Sequence, residues 1–157
     1  RRSFLRPYFL KEGIAMTDKE LVIEAMEARK KAYVPYSGYM VGAALLTSDG
    51  KVYRGCNIEN AAYSPTNCAE RTAFFKAVSE GERNFTAIAV IGAHKDAKPE
   101  EYGYFYPCGV CRQVMAEFCD PDTFRIITAR GEDDFNAHTL RELLPSGFGP
   151  DDLNFGK

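Results

Sequence analysis

Asn67-Cys68-Ala69-Glu70-Arg71 and Pro107-Cys108-Gly109-Val110-Cys111-Arg112-Gln113 each set a cysteine where a helical pattern begins. From Cys68 the apolar residues Ala73, Phe74, Ala77 and Val78 recur at helical spacing, and Gly81 stands at the preferred C′ position. From Cys108 the pattern runs through Val114, Met115 and Phe118 and stops before Pro121. Three thiols therefore sit at two helix N-termini, where unpaired N–H groups and the helix dipole favour the thiolate.

Outward from these helices the chain alternates strand and helix. Thr17 as N-cap with Glu20 three residues on makes a capping box, and Leu21, Ala25, Ala28 and Ala32 form one buried stripe of a helix expected to end near Pro35. Met40 to Leu46 is an apolar run closed by Asp49-Gly50, a hairpin signal, with a return strand expected from Val52 to Glu59. In that strand Asn57 and Glu59 share a face with Tyr53 and Gly55, opposite Val52, Cys56 and Ile58. Thr86 to Ile91 reads as a central strand covered on both sides. A polar connector from His94 to Tyr106, strands at Phe124 to Thr128 and Phe135 to His138, and a helix at Leu140 to Leu144 complete the order. The pattern predicts an α/β fold, a three-layer α/β/α sandwich with a mixed sheet of about five strands.

The 157 residues fit one domain, able to bury roughly 70% of the unfolded surface without disulfide staples. Residues 1–15 are basic and partly apolar but lack a signal-peptide h-region, and are read as a leader or cloning remnant, with the domain running from Met16 to Lys157. Five cysteines, an odd count with no secretory signal, suit a reducing cytoplasm and favour metal or catalysis over disulfides. A net charge of −2 with no like-charge run argues against nucleic acid, and no apolar run approaches membrane-spanning length, so a small-molecule partner is expected.

Cys108 and Cys111, at C-x-x-C spacing, can reach one metal, and Cys68 completes three thiolates with an open fourth position, the pattern of a catalytic rather than a structural zinc site. Cys56 and Cys119 read as buried structural thiols. His94 and His138 sit in no ligand-spaced motif. Glu70 follows Cys68 by two positions; in a first turn, where side chains splay around the helix end, it can reach the open position and act as general acid–base. By itself Glu70 would read as a surface acid near a helix dipole. Three thiolates on one Zn²⁺ leave a net negative site, so Arg71 is read as a donor to the cysteine sulfurs.

Cys-Ala-Glu at 68–70 with Pro-Cys-Gly-Val-Cys-Arg-Gln at 107–113 resembles the cytidine deaminase family, in its small homotetrameric class. The resemblance extends through Tyr33-Val34-Pro35-Tyr36-Ser37 with Val41-Gly42-Ala43-Ala44, through Gly55-Cys56-Asn57-Ile58-Glu59-Asn60, and through Glu142-Leu143-Leu144-Pro145 with Phe148. It covers roughly Thr17 to Leu153 and is weakest over the connector from Gly92 to Pro107, which is longer and richer in tyrosine than the family pattern. It implies one Zn²⁺ per subunit on Cys68, Cys108 and Cys111, proton transfer by Glu70, and Asn57 and Glu59 on the ribose 3′-hydroxyl. It further implies that the Ala69 N–H meets the pyrimidine O2, that the Pro107 carbonyl accepts from the departing amine, and that Tyr39, where the family usually has phenylalanine, packs against the base. Phe148 and the Ala61-Ala62-Tyr63 loop would reach the site of a neighbouring subunit in a homotetramer. Without the resemblance Phe148 reads as a core anchor.

The expected reaction is hydrolytic deamination of cytidine and 2′-deoxycytidine in pyrimidine salvage. A blasticidin deaminase is the nearest rival, since this chain carries that group's Arg-Glu-Leu-Leu-Pro-Ser-Gly at 141–147, but Asn57-Ile58-Glu59-Asn60 favours the plain nucleoside. A non-catalytic zinc-stabilised domain leaves Glu70 unexplained, and a thioredoxin-like dithiol would be metal-free.

Overall fold

The computed structural model describes residues 8–9 and 15–153. Most of the expected leader, residues 1–15, lies outside the described residues; within it Tyr8–Phe9 (β1) pairs antiparallel with Ala15–Met16 (β2). Helix α1, Asp18–Arg29, opens on the anticipated capping box, with Thr17 accepting from the Glu20 N–H and the Glu20 carboxylate accepting from the Thr17 N–H. It ends well before Pro35 and leaves Ala32 outside. The cause is a competing partner: the Tyr33 N–H donates to Asn57 O at 3.0 Å, and Tyr33 O accepts from the Glu59 N–H at 2.9 Å, which draws this backbone out of the helix.

Strands β3 (Tyr39–Thr47) and β4 (Val52–Cys56) form the hairpin across Asp49-Gly50, where Gly50 takes φ 86°. The return strand stops at Cys56 rather than Glu59 because the Asn57 side chain replaces the ladder: its Oδ1 accepts from the Val41 N–H at 2.8 Å and its Nδ2 donates to Tyr39 O at 2.8 Å. Ile58 then bridges Tyr33 on one side and Asn67 on the other. Helix α2 (Ala69–Ser79), strand β5 (Phe85–His94), helix α3 (Gly109–Phe118), strands β6 (Arg125–Gly131) and β7 (Asp134–Thr139) and helix α4 (Leu140–Leu143) follow. Gly81, with φ 98°, follows the α2 cap as the left-handed C′ residue.

The main sheet has the order β4-β3-β5-β6-β7, with β5 parallel to β6 and the other neighbours antiparallel. Strand β5 is covered on both faces, and its side chains alternate between two cores. Ile88 and Val90 join Ala73, Phe74, Met115 and Leu140 beneath α2, α3 and α4. Ala87, Ala89 and Ile91 join Leu21, Val22 and Ala25 of α1. The result is the expected three-layer α/β/α arrangement around a mixed five-stranded sheet.

Both β4 and β5 run antiparallel to β3, so they point the same way, and the helices that follow them start at the same end of the sheet. That end is where open α/β sheets bind ligands. Glycine sets how closely the layers approach: a Cβ on Gly55 would lie 2.3 Å from Ala69 O and 2.5 Å from Ala73 N, so α2 rests directly on β4.

Candidate functional site

Cys68 and Cys108 are the N-cap residues of α2 and α3, and neither side chain caps its own helix, which leaves both thiols directed across the gap. Cys68 Sγ lies 3.9 Å from Cys108 Sγ, and Cys108 Sγ lies 3.5 Å from Cys111 Sγ. All three sulfurs fall within 4.8 Å of one another. Two thiolates held tetrahedrally at about 2.3 Å from one ion are about 3.8 Å apart, so this spacing fits zinc. Cys111 is buried, Cys68 half-buried and Cys108 exposed, so the cluster opens to the surface on one side. Cys56 and Cys119 stand outside it, with burial pushing both thiols up. His94 and His138 also stand outside it.

Charge favours thiolate first at Cys68. The Cys111 thiol, and then Arg71, hold the Cys68 thiol well below the ordinary range, while Cys68 and burial push Cys111 up. Arg71 leaves the first turn of α2 and donates through Nη2 to Cys68 Sγ at 3.5 Å and to Thr66 O at 3.4 Å. The guanidinium thus lies against a cysteine sulfur.

Glu70 is 1% exposed, and neither carboxylate oxygen has a hydrogen-bond partner among the described residues. Burial, helped by the Cys68 charge, pushes its carboxyl up to about 7. A carboxyl that titrates near neutrality is suited to taking and returning a proton. A buried acid that the fold leaves unpaired costs stability, as functional groups often do.

The Asn57 amide, besides its bonds to Val41 and Tyr39, retains one N–H and further acceptor capacity. Glu59 accepts from the N–H groups of Tyr36 at 3.0 Å and Ser37 at 3.2 Å and from the Ser37 hydroxyl, which holds its carboxyl below the usual range. Both side chains are therefore braced before any ligand arrives. Ala69 is the first residue of α2, where the N–H has no partner within the helix. Tyr39 begins β3 and tilts against Phe105, with ring centroids 5.7 Å apart.

Pro107 O accepts from Arg112 Nε at 2.7 Å, and Arg112 Nη1 donates to Leu143 O at 2.8 Å. The sequence reading did not assign Arg112; its signal was an arginine in the first turn of α3, one turn past a proline carbonyl. One lone pair of that carbonyl is engaged and the other remains. Phe148 and Tyr63 are both exposed rather than core residues. Phe148 is 55% exposed on a tail held by Gln113 Nε2 at 2.9 Å from its carbonyl. Tyr63, with φ 59°, is 72% exposed and meets Tyr36 edge-on at 6.1 Å. The core-anchor reading of Phe148 is corrected by this exposure.

Residues 15–126 match the family model described as "Cytidine and deoxycytidylate deaminase zinc-binding region". The cytidine deaminase of Halalkalibacterium halodurans is 52% identical over 138 residues, covering 87% of this chain and 98% of that protein. That of Sporosarcina psychrophila is 49% identical over 140 residues, covering 89% and 97%. The crystal structure of cytidine deaminase from Burkholderia pseudomallei superposes with a TM-score of 0.76 at 47% identity, covering 85% of this chain and all of that one.

Proposed function

From a chain that belongs to the cytidine and deoxycytidylate deaminase family, we infer a zinc-dependent hydrolase that converts cytidine to uridine and ammonia, and 2′-deoxycytidine to 2′-deoxyuridine. The observation that carries this reading is the buried, unpartnered Glu70 carboxyl beside three clustered thiols. Cys68, Cys108 and Cys111 would hold the zinc, which when bound would supply Lewis-acid activation of water near neutral pH.

The chain's own residues do the rest. Glu70 takes a proton from the attacking water and delivers it to ring N3 as the new C–O bond forms at C4. Glu70 then takes the remaining proton of that oxygen and places it on the exocyclic amine; the C4–N bond breaks, ammonia leaves and the C4 carbonyl remains. Water and nucleoside thus balance to uridine and ammonia. The Ala69 N–H orients the base through O2, the free lone pair of Pro107 O accepts from the amine, and Tyr39 packs along the ring. Asn57 and Glu59 bind the ribose 3′-hydroxyl with groups already fixed in place, which lowers the ordering cost of binding. Arg71 offsets the negative charge of the three thiolates.

The same reading assigns the chain to pyrimidine salvage in the cytoplasm, as a single domain from Met16 onward and as a homotetramer whose neighbouring subunits contribute Phe148 and the Tyr63 loop. The exposure of both aromatics supports the shared site. Among the described residues no helix is long and apolar enough to cross a membrane.

Loss of cytidine absorbance on adding enzyme, run beside a zinc assay, tests the proposal. Conversion with one zinc per chain is expected, and Glu70→Gln should keep the zinc while kcat falls about 10²-fold or more. Zinc without conversion of cytidine or deoxycytidine would exclude the nucleoside reading, and blasticidin S in the same panel would show the alternative amine. Full turnover by Glu70→Gln would overturn the assigned proton path.

A further inference from the structure

The connector between β5 and α3 passes through a short 3-10 turn at Pro99–Glu101 and then carries four aromatics, Tyr102, Tyr104, Phe105 and Tyr106, on irregular chain. Three of them fasten it to the body of the protein. The Arg29 guanidinium sits 4.9 Å from the Tyr102 ring centre while donating to Met40 O and Ala93 O. Arg130 lies 5.1 Å over Tyr104, whose hydroxyl donates to Asp134 Oδ1 at 2.5 Å. Tyr106 packs on His138 with ring centres 5.5 Å apart.

In an extended chain, alternate side chains point to opposite sides. With Tyr104 and Tyr106 directed to β6 and β7, Phe105 turns the other way. Its ring lies over Gly92 near the end of β5, partly buried against the core beneath α2 and α3. A Cβ at Gly92 would come within 3.1 Å of Phe105 Cδ2 and Cγ and 3.2 Å of Tyr39 Cε1, so both rings rest on the space that glycine leaves. Among the described residues the Tyr39 hydroxyl reaches only Gly92 O, at 3.5 Å, so contact with Phe105, rather than a strong hydrogen bond, restrains the Tyr39 ring.

We propose that Phe105 is a positioning residue for substrate binding, holding the Tyr39 ring in place as the wall against which the pyrimidine packs. The tyrosine-anchored connector then sets the width of the base pocket through Phe105. This rests on the nucleoside reading above and adds a residue to which that reading gave no role.

Steady-state kinetics on the zinc-loaded full chain test it. Phe105→Leu removes the ring contact while keeping an apolar side chain; KM for cytidine should rise about fivefold with kcat within twofold, the scale of one aromatic pair. Tyr39→Ala should raise KM as well, and adding Phe105→Leu to it should change nothing further, because the two act as one unit. Glu100→Gln, an exposed change on the same connector away from these rings, should leave KM as in the parent. An unchanged KM in Phe105→Leu, equal loss in kcat and zinc content, or additive effects with Tyr39→Ala would overturn the proposal. A parent enzyme that does not turn over cytidine would overturn the nucleoside reading and this inference with it; an active parent with additive variants would overturn this inference alone.

Discussion

At the scale of single residues, the site is built from groups whose ordinary preferences are overridden by their neighbours. Cys68 and Cys108 occupy N-cap positions, where a serine or aspartate would normally accept from the helix N–H groups; the thiols forgo that role and face one another instead. Arg71 shows why a cation belongs beside them. Three thiolates around a Zn²⁺ would leave an excess negative charge, and on the proposed role the guanidinium, which donates to Cys68 Sγ at 3.5 Å, would offset part of it. Arg71→Gln should weaken zinc affinity about tenfold, the scale expected for losing a hydrogen bond to a metal ligand. Competition with a chromophoric chelator measures this, and unchanged affinity together with unchanged turnover would show that the contact is incidental.

At the scale of elements, the placement of Ala69 and Glu70 depends on how α2 lies on β4. Gly55 is the contact point. A methyl group there would meet the backbone at Ala69 O and Ala73 N well inside contact distance, and backbone cannot rotate aside as a side chain can. Gly55→Ala is expected to cost about 1–3 kcal/mol of stability as α2 is displaced, and to lower turnover beyond any effect on zinc content because the displaced turn carries Glu70. Urea unfolding beside an activity assay measures both. Gly103→Ala, where nothing lies within 4 Å of the added carbon, is the control and should leave both unchanged.

At the scale of the whole molecule, Tyr33, Tyr36, Ile58 and Tyr63 leave apolar surface exposed on the loops after α1 and between β4 and α2. Tyr36 and Tyr63 touch, Ile58 bridges Tyr33, and Phe148 adds another exposed ring on the C-terminal tail. Exposed aromatic and aliphatic side chains grouped in this way are consistent with the proposed association. On the proposed shared-site assembly, activity per chain should fall on dilution in step with the sedimentation coefficient. A fully active monomer would refute the shared site.

The cysteine spacing, the capping box at Thr17 and the unbroken apolar run of β5 were enough to locate the helices and strands and to single out the three thiols that cluster, because these signals lie close together in the chain. The end of α1 and the end of β4 were decided only in the folded protein. Tyr33 and Ile58 meet across a long separation, and the Asn57 side chain takes over the ladder, interactions that no local propensity encodes. Arg112 and Phe105 escaped the sequence reading for the same reason: one spans Pro107 and Leu143, the other fills the space left by Gly92. The sequence by itself determined which residues could carry the chemistry. Tertiary structure decided that Glu70 is buried with no hydrogen-bond partner among the described residues and that Phe148 lies outside the core, since burial arises when separated segments pack together.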